Sequence, residues 1–287
     1  LFTLPELADA LFLLCDKNPR NYFSYSKLKS VCRYYYDDGT VLNAYSNPEL
    51  FAKEAESVLG EPPQNISNYL KKYKKLYTAT APLFLFNALH RIKNFMKKKF
   101  RGSFKYLLQL EVFTTMHARN RKSFTSEKLV QLFDRFATYN GSDPYRAPST
   151  FNMIAHLEHN LGAYFPDKGM HSIIKALVSL AEEQGVRIML NSNVQEIPTS
   201  EKKATGIVCN NTLHKADLIV SDADVRSVYI NLLQGVKPPK SVINKELSTS
   251  AIIFYWGVNY TSNLDLHNIL FAADYKAEFD ALFHSKT

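Results

Sequence analysis

The sequence predicts an α/β protein in which a mixed α+β domain is joined to a segment of α/β sheet. After Gly169, one helical pattern is followed by several short β-forming runs. Before Gly169, a hairpin pattern near residue 38 stands among helical patterns. The 287 residues are 46% hydrophobic and 13% aromatic, enough for one large or two moderate cores and for a lined cavity. Disordered and fibrous classes are therefore excluded.

The first elements have local start and stop signals. Residues 3–6 (TLPE) match a capping box with proline in the first turn and predict a helix through about Leu14. Residues 31–36 and 40–45 flank a DDG turn, which predicts a β-hairpin. Residues 47–60, from an Asn-Pro cap to a glycine, predict the next helix.

Residues 62–110 form a strongly basic block. They contain eleven Lys or Arg and no acid, although the whole chain has a formal net charge of only +8. Within this block, helical spacing predicts basic amphipathic helices. Helical period extends from Asn65 to Arg135, with breaks near Gly102 and Ser123. Such helices either dock on anionic lipid headgroups or carry a solvated lysine face over an apolar stripe that packs internally. Nucleic acid is a weaker alternative, because no nucleic-acid-binding motif accompanies the charge.

The second half predicts a helix from Gly169 to Gly185 and then mainly β structure. The runs VRIML, NVQEI, ATGIVCN and DLIVSDAD are interpreted as strands, with a small antiparallel meander that interrupts a parallel sheet. Four further elements are predicted: a helix at 225–233, strands at 250–259 and 268–272, and a helix at 275–283.

Side-chain chemistry alone leaves the function open. None of the ten glycines forms G-x-G, so the sequence shows no dinucleotide fingerprint. His156 and His159 could share a helix face as metal ligands, but a third ligand is not recognisable, so a packed or solvated pair is favoured and no metal is predicted. Asp134 beside Arg135 indicates a structural ion pair more readily than an acid–base couple. His117 is assigned to a basic helix surface.

Several sequence blocks occur in the order typical of one enzyme family. They are LFTLPELADALF, YYYDDGTVLNAY, the run FDRFATYNGSDPYRAPSTFNMIAHLEHNLGAYFPDKGMHSIIKALVSLAEEQGVRIMLNSNVQEI from Phe133 to Ile197, LIVSDADV, and STSAIIFYWGVN with LDLHNILFAADYKAEFDALF. On these blocks, which span essentially the whole chain, the sequence resembles the FAD-dependent carotenoid desaturases of the bacterial phytoene desaturase type. The IIFYWG run is similar to the hydroxycarotenoid 3,4-desaturase branch.

The resemblance implies a flavin amine oxidase or GDP-dissociation-inhibitor-like fold. In this arrangement residues 1–168 belong to a substrate domain, 169–225 to a Rossmann-like FAD-binding domain, and 226–287 to the substrate domain again. The resemblance also implies that two further FAD-binding segments of the family lie outside this chain. We therefore expect the chain by itself to hold FAD incompletely and to be inactive.

The resemblance also implies roles for individual residues. The backbone of Val194 would meet the adenine end of FAD, and the turn with Gly169 and Met170 would lie beneath the flavin. Lys168 departs from the family's usual double glycine, so close approach at that residue is not implied. The walls of an apolar substrate tunnel would include Tyr145, Phe151, His156, Tyr255 and Trp256.

In such desaturases a hydride passes from one saturated carbon to the flavin and a proton leaves the neighbouring carbon. Asp134 and Arg135 are candidates for a polar pair near the flavin. Because the substrate is a lipid, the resemblance favours residues 65–105 as the membrane-docking face. Its predicted membrane-facing cations are Arg91, Lys93, Lys97, Lys98 and Lys99.

Three alternatives stay open: a carotenoid isomerase that uses FAD without net oxidation, a non-catalytic prenyl-lipid carrier on the same scaffold, and a nucleic-acid binder. Only three cysteines occur, and no apolar run approaches the roughly 20 residues that a spanning helix needs. We therefore expect a cytoplasmic protein at the inner face of the cell membrane, with a carotenoid as partner and no nucleic acid.

Overall fold

The computed structural model describes residues 1–84 and 111–283. The described chain divides into two compact units, the first made of residues 1–180 with the chain from 248 onward, and the second of residues 181–247. Both contain helices and strands, which confirms the predicted α/β class. The functional boundaries at 168/169 and 225/226 stay a prediction, since compactness does not say which residues bind cofactor or substrate.

The helices follow the periodic parts of the sequence. In chain order they are α1 (Pro5–Leu13), α2 (Pro48–Leu59), α3 (Pro63–Phe84), α4 (Met116–Ser123), α5 (Glu127–Asp134), α6 (His171–Glu183), α7 (Val225–Ser227), α8 (Lys240–Ile243) and α9 (Tyr275–Phe283). A continuous helical run joins a 3₁₀ turn (Ser149–Met153), an α turn (Ile154–His156) and a π turn (Leu157–Leu161). Further short turns are 3₁₀ at Pro19–Asn21 and Arg135–Asn140, and π at Val228–Leu232.

The strands are short. They are β1 (Tyr25–Lys27), β2 (Ser30–Tyr35), β3 (Val41–Tyr45), β4 (Tyr164–Pro166), β5 (Val194–Glu196), β6 (Thr199–Ser200), β7 (Lys203–Ala204), β8 (Gly206–Cys209), β9 (Thr212–Lys215) and β10 (Asn268–Leu270). The predicted hairpin is confirmed as β2 and β3, with Tyr34 opposite Leu42. Strand β10 lies parallel to the other side of β2, and β1 pairs with β4. These pairings bring together parts of the first unit that are distant in sequence.

The main core of the first unit packs the β2–β3 hairpin against α2, α3 and α5. Its largest side chains are fully buried: Tyr34, Leu42, Phe51, Ile66, Leu70, Tyr73, Phe133 and Phe136. Helix α2 begins as its sequence predicts, because the Asn47 side chain accepts hydrogen bonds from the Glu49 and Leu50 backbone. It ends at Gly60, whose φ of 67° suits a residue without Cβ.

The capping box predicted before α1 is wrong. The helix begins at Pro5, so the N-cap residue is Leu4, at φ 54°, and no side chain caps the first turn. Thr3 lies one residue too far from the helix for its hydroxyl to reach the first free N–H groups.

Helix α3 separates two of the interpretations given to the basic block. Its apolar stripe, including Tyr69, Leu70 and Tyr73, is buried in the core, while Lys71 and Lys74 are exposed. The apolar stripe of α3 therefore packs internally beneath an exposed lysine face, and docking of that face on lipid headgroups stays a prediction. The cations Arg91, Lys93, Lys97, Lys98 and Lys99 lie outside the described residues. No helix within the described ranges is long and apolar enough to cross a membrane.

The second unit contains the predicted antiparallel meander, with strand order β5-β8-β9. Strands β8 and β9 are joined by Asn210 and Asn211, both at positive φ, 48° and 60°. Two consecutive residues at positive φ give the turn a backbone twist that matches the twist of the flanking strands. Asparagine adopts positive φ more readily than most residues with a side chain. The predicted two-residue turn is therefore confirmed.

Three predicted strands are absent from the described structure. Residues 186–190, 217–224 and 250–259 have irregular backbone, and many of their apolar side chains are exposed. A β-forming run becomes a strand only where a neighbouring strand accepts and donates its backbone hydrogen bonds. Among the described residues none of the three has such a neighbour, so the prediction of strands there is wrong for this structure.

Candidate functional site

The first unit contains a buried charged network centred on Arg135. This side chain lies at the junction of α5 and the following 3₁₀ turn. Its Nη2 is 3.3 Å from Glu158 Oε1 and donates to the Tyr34 hydroxyl at 2.8 Å. Both partners of the ion pair are nearly inaccessible, with 8% and 2% of their side chains exposed. The network is fixed in position, because breaking it would leave a buried charge unpaired.

Aromatic rings surround the Arg135 guanidinium. Its central carbon lies 5.4 Å from the Tyr34 ring centre, 4.6 Å from Phe136 and 5.4 Å from Tyr139. The Tyr139 hydroxyl donates to Glu158 Oε2 at 2.8 Å. Desolvation of this hydroxyl and then the Glu158 charge raise the pKa of Tyr139 to about 12, so it stays protonated and can donate.

Asp134 belongs to a separate network. Its Oδ2 accepts a 2.6 Å hydrogen bond from His117 Nδ1, and its Oδ1 accepts one of 2.8 Å from the Asn120 amide. Asn120 in turn accepts from the Tyr69 hydroxyl. The sequence interpretation of an Asp134–Arg135 ion pair is corrected here: Arg135 pairs with Glu158. A role of either residue in catalysis stays a prediction.

The predicted tunnel residues of the first unit lie in different surroundings. Tyr145 is half-buried, with its ring 4.5 Å from that of His117. Phe151 packs against the main core. His156 is buried, lies 2.8 Å from the Asn160 amide, and has its pKa lowered to about 4 by burial and by Lys74. These contacts bring Tyr145, Phe151 and His156 into the packed interior without joining them to one described cavity.

Tyr255 and Trp256 lie at the surface. They are 93% and 80% exposed within an irregular segment, together with Ile252, Ile253 and Phe254. So large an exposed apolar stretch is unusual for a soluble surface and indicates a contact face. Their assignment to a tunnel wall stays a prediction.

The turn with Gly169 and Met170 has the geometry expected of an approach site. Gly169 has φ 80°, and a Cβ added there would meet no atom within 4 Å. Its N–H donates to the Pro166 carbonyl, and its own carbonyl accepts from Ser172. Met170 follows it with 41% of the residue exposed. The turn is therefore open, and its place beneath a flavin stays a prediction.

The second unit holds a cleft of about 860 Å³ beside the meander. Val194 lies on its wall, at the start of β5. The opposite wall is the irregular chain around residues 216–223 and the π turn that ends at Leu232. The polar lining groups are Asn193, Gln195, His214, Lys215, Ser221, Asp222, Ser227 and Asn231. A cleft of this size accommodates a nucleotide-sized molecule.

No group of three or more His, Cys, Asp or Glu suited to a metal ion occurs within residues 1–84 and 111–283. His156 and His159 both pack in the core, and the His159 ring stacks on Phe51 at 4.7 Å. Their buried packing agrees with the structural interpretation of this pair.

Comparison with known families decides what the chain is related to. The family model for flavin containing amine oxidoreductases matches residues 3–246. The chain belongs to this family. The match confirms the resemblance to flavoenzymes inferred from the sequence blocks, and it favours the oxidoreductase class over a carrier or a nucleic-acid binder.

The chain is similar to several carotenoid enzymes. It is 40% identical to the 1-hydroxycarotenoid 3,4-desaturase of Flavobacterium sp. over 288 residues, 100% of this chain and 59% of the relative. It is 28% identical to the 4,4'-diapolycopene oxygenase of Methylomonas sp., over 99% of this chain and 58% of the relative. It is 33% identical to the phytoene desaturase of Neurospora crassa over 62% of this chain and 32% of that protein. The chain thus spans less than two thirds of the length of these relatives.

The residues of the second-unit cleft fit part of a flavin cofactor. Apolar side chains such as Val194 and Leu218 offer surface for a flat ring, while Lys215 and His214 supply cationic or donor groups suited to a phosphate. Ser221 and Asp222 add groups suited to ribose hydroxyls. These groups therefore fit the phosphate-bearing part of a flavin cofactor.

Several of these residues were missed from the sequence. Glu158 lies in the HLEH run, where the sequence interpretation considered only the two histidines and gave the glutamate between them no role. His117 was assigned to a helix surface, yet it bonds a buried carboxylate. Tyr139 stands four residues after Arg135, a spacing that brings side chains together on helical turns and could have indicated the contact.

Proposed function

We propose that the protein containing this chain is an FAD-dependent carotenoid desaturase. The observation that carries the proposal is the 40% identity to a 1-hydroxycarotenoid 3,4-desaturase along the whole chain. The family match supports a flavin cofactor, and the nucleotide-sized cleft at Val194 supports FAD as its form. Relatives in bacteria and fungi named for carotenoid desaturation support a carotenoid as substrate.

When bound, the flavin supplies a hydride acceptor, so that loss of a hydride and a proton from adjacent carbons leaves a new conjugated double bond. This chain's part is binding and orientation. The Val194 cleft would hold the nucleotide end of the flavin. The buried Arg135–Glu158 pair fixes the hydroxyls of Tyr139 and Tyr34 at one end of the main core.

The substrate of such an enzyme is dissolved in a bilayer, so the protein must meet a membrane surface. We assign this contact to the basic block, in which α3 contributes the exposed cations Lys71, Lys74 and Lys75. Each cation near an anionic surface contributes about 1 kcal/mol of attraction. The protein then acts in the cytoplasm at the inner face of the cell membrane.

Product analysis tests the function. The complete gene is expressed in cells that accumulate phytoene, γ-carotene or hydroxylated γ-carotene, and pigments are separated and identified by mass and absorption. A product two hydrogens lighter, with absorption at longer wavelength, is the expected result. An isomer of unchanged mass would identify a carotenoid isomerase, and unchanged pigment bound to the protein would identify a carrier. Flavin released by heating distinguishes FAD from FMN through its fluorescence increase after phosphodiesterase treatment.

A further inference from the structure

A cleft of about 380 Å³ lies between α2 and α3 in the first unit. Three exposed charged side chains line it, Lys71 and Lys74 on α3 and Glu49 at the start of α2. Asn160 lines it as well, and its amide donates to the Leu70 carbonyl at 3.2 Å, so this wall is joined to α3. Small-molecule sites range over about 300–1,000 Å³, so the cleft has room for a small charged group.

The two lysines of the cleft are available to a ligand. Within residues 1–84 and 111–283, the ammonium groups of Lys71 and Lys74 make no ion pair or hydrogen bond. Lys72, which lies between them in sequence, is already held: its Nζ is 3.1 Å from a Glu111 carboxylate oxygen. Residues three apart on a helix lie on the same face, so Lys71 and Lys74 present two positive charges together. Such a pair suits a phosphate group.

The backbone groups at the start of α2 are already bonded. The Asn47 side chain accepts hydrogen bonds from the Glu49 and Leu50 N–H groups, and the Asn47 carbonyl accepts one from the Phe51 N–H. A ligand of this cleft is therefore selected by side chains. Among these side chains, the Glu49 carboxylate repels a simple anion and attracts a cation.

We propose that this cleft binds the headgroup of a phosphatidylethanolamine, a membrane lipid whose headgroup has a phosphate and a primary ammonium group. Lys71 and Lys74 bind the phosphate, and Glu49 accepts hydrogen bonds from the ammonium group. A purely anionic headgroup leaves the Glu49 carboxylate without a cation, and a quaternary ammonium group has no N–H to donate to it. This inference rests on the proposed function, whose substrate is dissolved in a bilayer, and adds the lipid that the protein recognises there.

Vesicle sedimentation of the complete protein tests the headgroup. All vesicles contain the same fraction of phosphatidylglycerol, and the remaining lipid is either phosphatidylethanolamine or phosphatidylcholine with the same acyl chains. The surface charge is therefore constant, and only the substitution of the ammonium group differs. We expect partitioning onto the ethanolamine vesicles to be about threefold to fivefold stronger, as one exposed ion pair provides. Equal partitioning onto both kinds of vesicle overturns the proposal.

Glu49→Gln tests the ammonium contact. This variant should lose the preference for ethanolamine vesicles, because its amide has no charge to pair with the ammonium group. Glu56→Gln is the matched control, since it removes an exposed carboxylate from the same helix at a position outside the cleft. The control should keep the preference. If Glu49→Gln also keeps it, the assignment of Glu49 is overturned.

Lys71→Gln combined with Lys74→Gln tests the phosphate contact. Partitioning onto both kinds of vesicle should fall by about tenfold or more, because both lipids have the phosphate. The matched control is Lys53→Gln with Lys122→Gln, which removes two exposed cations of the first unit that do not line the cleft. Its loss should be less than half as large on a logarithmic scale. Equal losses in the two double variants overturn the cleft as the site.

Binding of a soluble headgroup separates this inference from the proposed function. Glycerophosphoethanolamine and glycerophosphocholine are titrated into the complete protein in a calorimeter, without membrane or carotenoid. Binding of the ethanolamine compound that is lost in Glu49→Gln supports the cleft, even if the protein desaturates no carotenoid. Equal binding of both compounds, or binding of neither, overturns it, even if desaturation is observed.

Discussion

His117 Nδ1 lies 2.6 Å from Asp134 Oδ2 and connects the first turn of α4 to the last turn of α5. The Asp134 side chain is 1% exposed, and that of His117 is 26% exposed. Burial raises the pKa of Asp134, while the hydrogen bonds from His117 and Asn120 act in the opposite direction. The carboxylate is therefore held by specific donors inside the helical hairpin.

Replacing Asp134 is expected to destabilise this hairpin. Asp134→Ala removes the acceptor of one buried and one partly buried hydrogen bond and leaves the Asn120 amide without its Asp134 acceptor. We expect a loss of about 3 kcal/mol in the free energy of unfolding. Asp134→Asn, which keeps an acceptor for Asn120, is expected to lose less than half of that. Urea denaturation measures both, with the exposed Asp37→Ala as control. A loss equal to that of the control would contradict the network.

Removing the Glu158 side chain is expected to lower the free energy of unfolding more than removing that of an exposed glutamate. Glu158→Ala leaves the Arg135 guanidinium buried without its charge partner, which lowers unfolding free energy by about 3–5 kcal/mol. Glu182→Ala, on the exposed side of α6, is expected to change it by less than about 0.5 kcal/mol. A double substitution of Arg135 and Glu158 by methionine should recover part of the loss. If the double variant loses the sum of the two single losses, the residues are not coupled.

Stability is expected to fall as the solution becomes mildly acidic. His156 is neutral in the folded protein, with its pKa lowered from 6.5 to about 4, so the unfolded chain binds a proton that the folded chain does not. The contribution of neutral His156 to the free energy of unfolding is complete above pH 6.5 and is lost as the pH falls toward 4. In this range the free energy of unfolding falls by about 1.4 kcal/mol per pH unit. Burial likewise lowers the pKa of His159.

The variant His156→Gln should show a shallower dependence of unfolding free energy on pH between 6.5 and 5 than the unchanged protein. The exposed His171→Gln serves as the control and should keep the original slope. Parallel curves for all three proteins would show that His156 does not bind an extra proton on unfolding.

Membrane attachment is expected to depend on the lysines of α3. Charge reversal by Lys71→Glu, Lys74→Glu and Lys75→Glu should lower partitioning onto anionic vesicles by more than tenfold, since each cation contributes about 1 kcal/mol. The apolar stripe of α3 is buried, so this effect should disappear in high salt. Vesicle sedimentation measures it, with Lys202→Glu, Lys203→Glu and Lys240→Glu of the second unit as control. Equal loss in both triple variants would show a general charge effect.

The sequence predicted those elements whose signals are local. The Asn47 cap and Gly60 stop of α2, the hairpin of residues 30–45 and the turn at Asn210–Asn211 depend on neighbouring residues only, and each is confirmed. The family was also readable, because the sequence blocks occur in a fixed order along the chain. Both inferences need only residue identity and spacing.

The sequence did not predict which residues far apart in the chain pair with each other. Arg135 contacts Glu158, which is 23 residues later in the chain, and Tyr34, which is 101 residues earlier. Strand β10, near the end of the chain, pairs with β2 near its beginning. The runs at 186–190 and 250–259 have strand-forming composition and no strand, because backbone hydrogen bonding needs a neighbour that composition does not specify. The sequence by itself therefore determined the family, the limits of α2 and the local turns. Only the tertiary structure decided which charges are buried together and which apolar runs stay exposed, since both follow from three-dimensional packing.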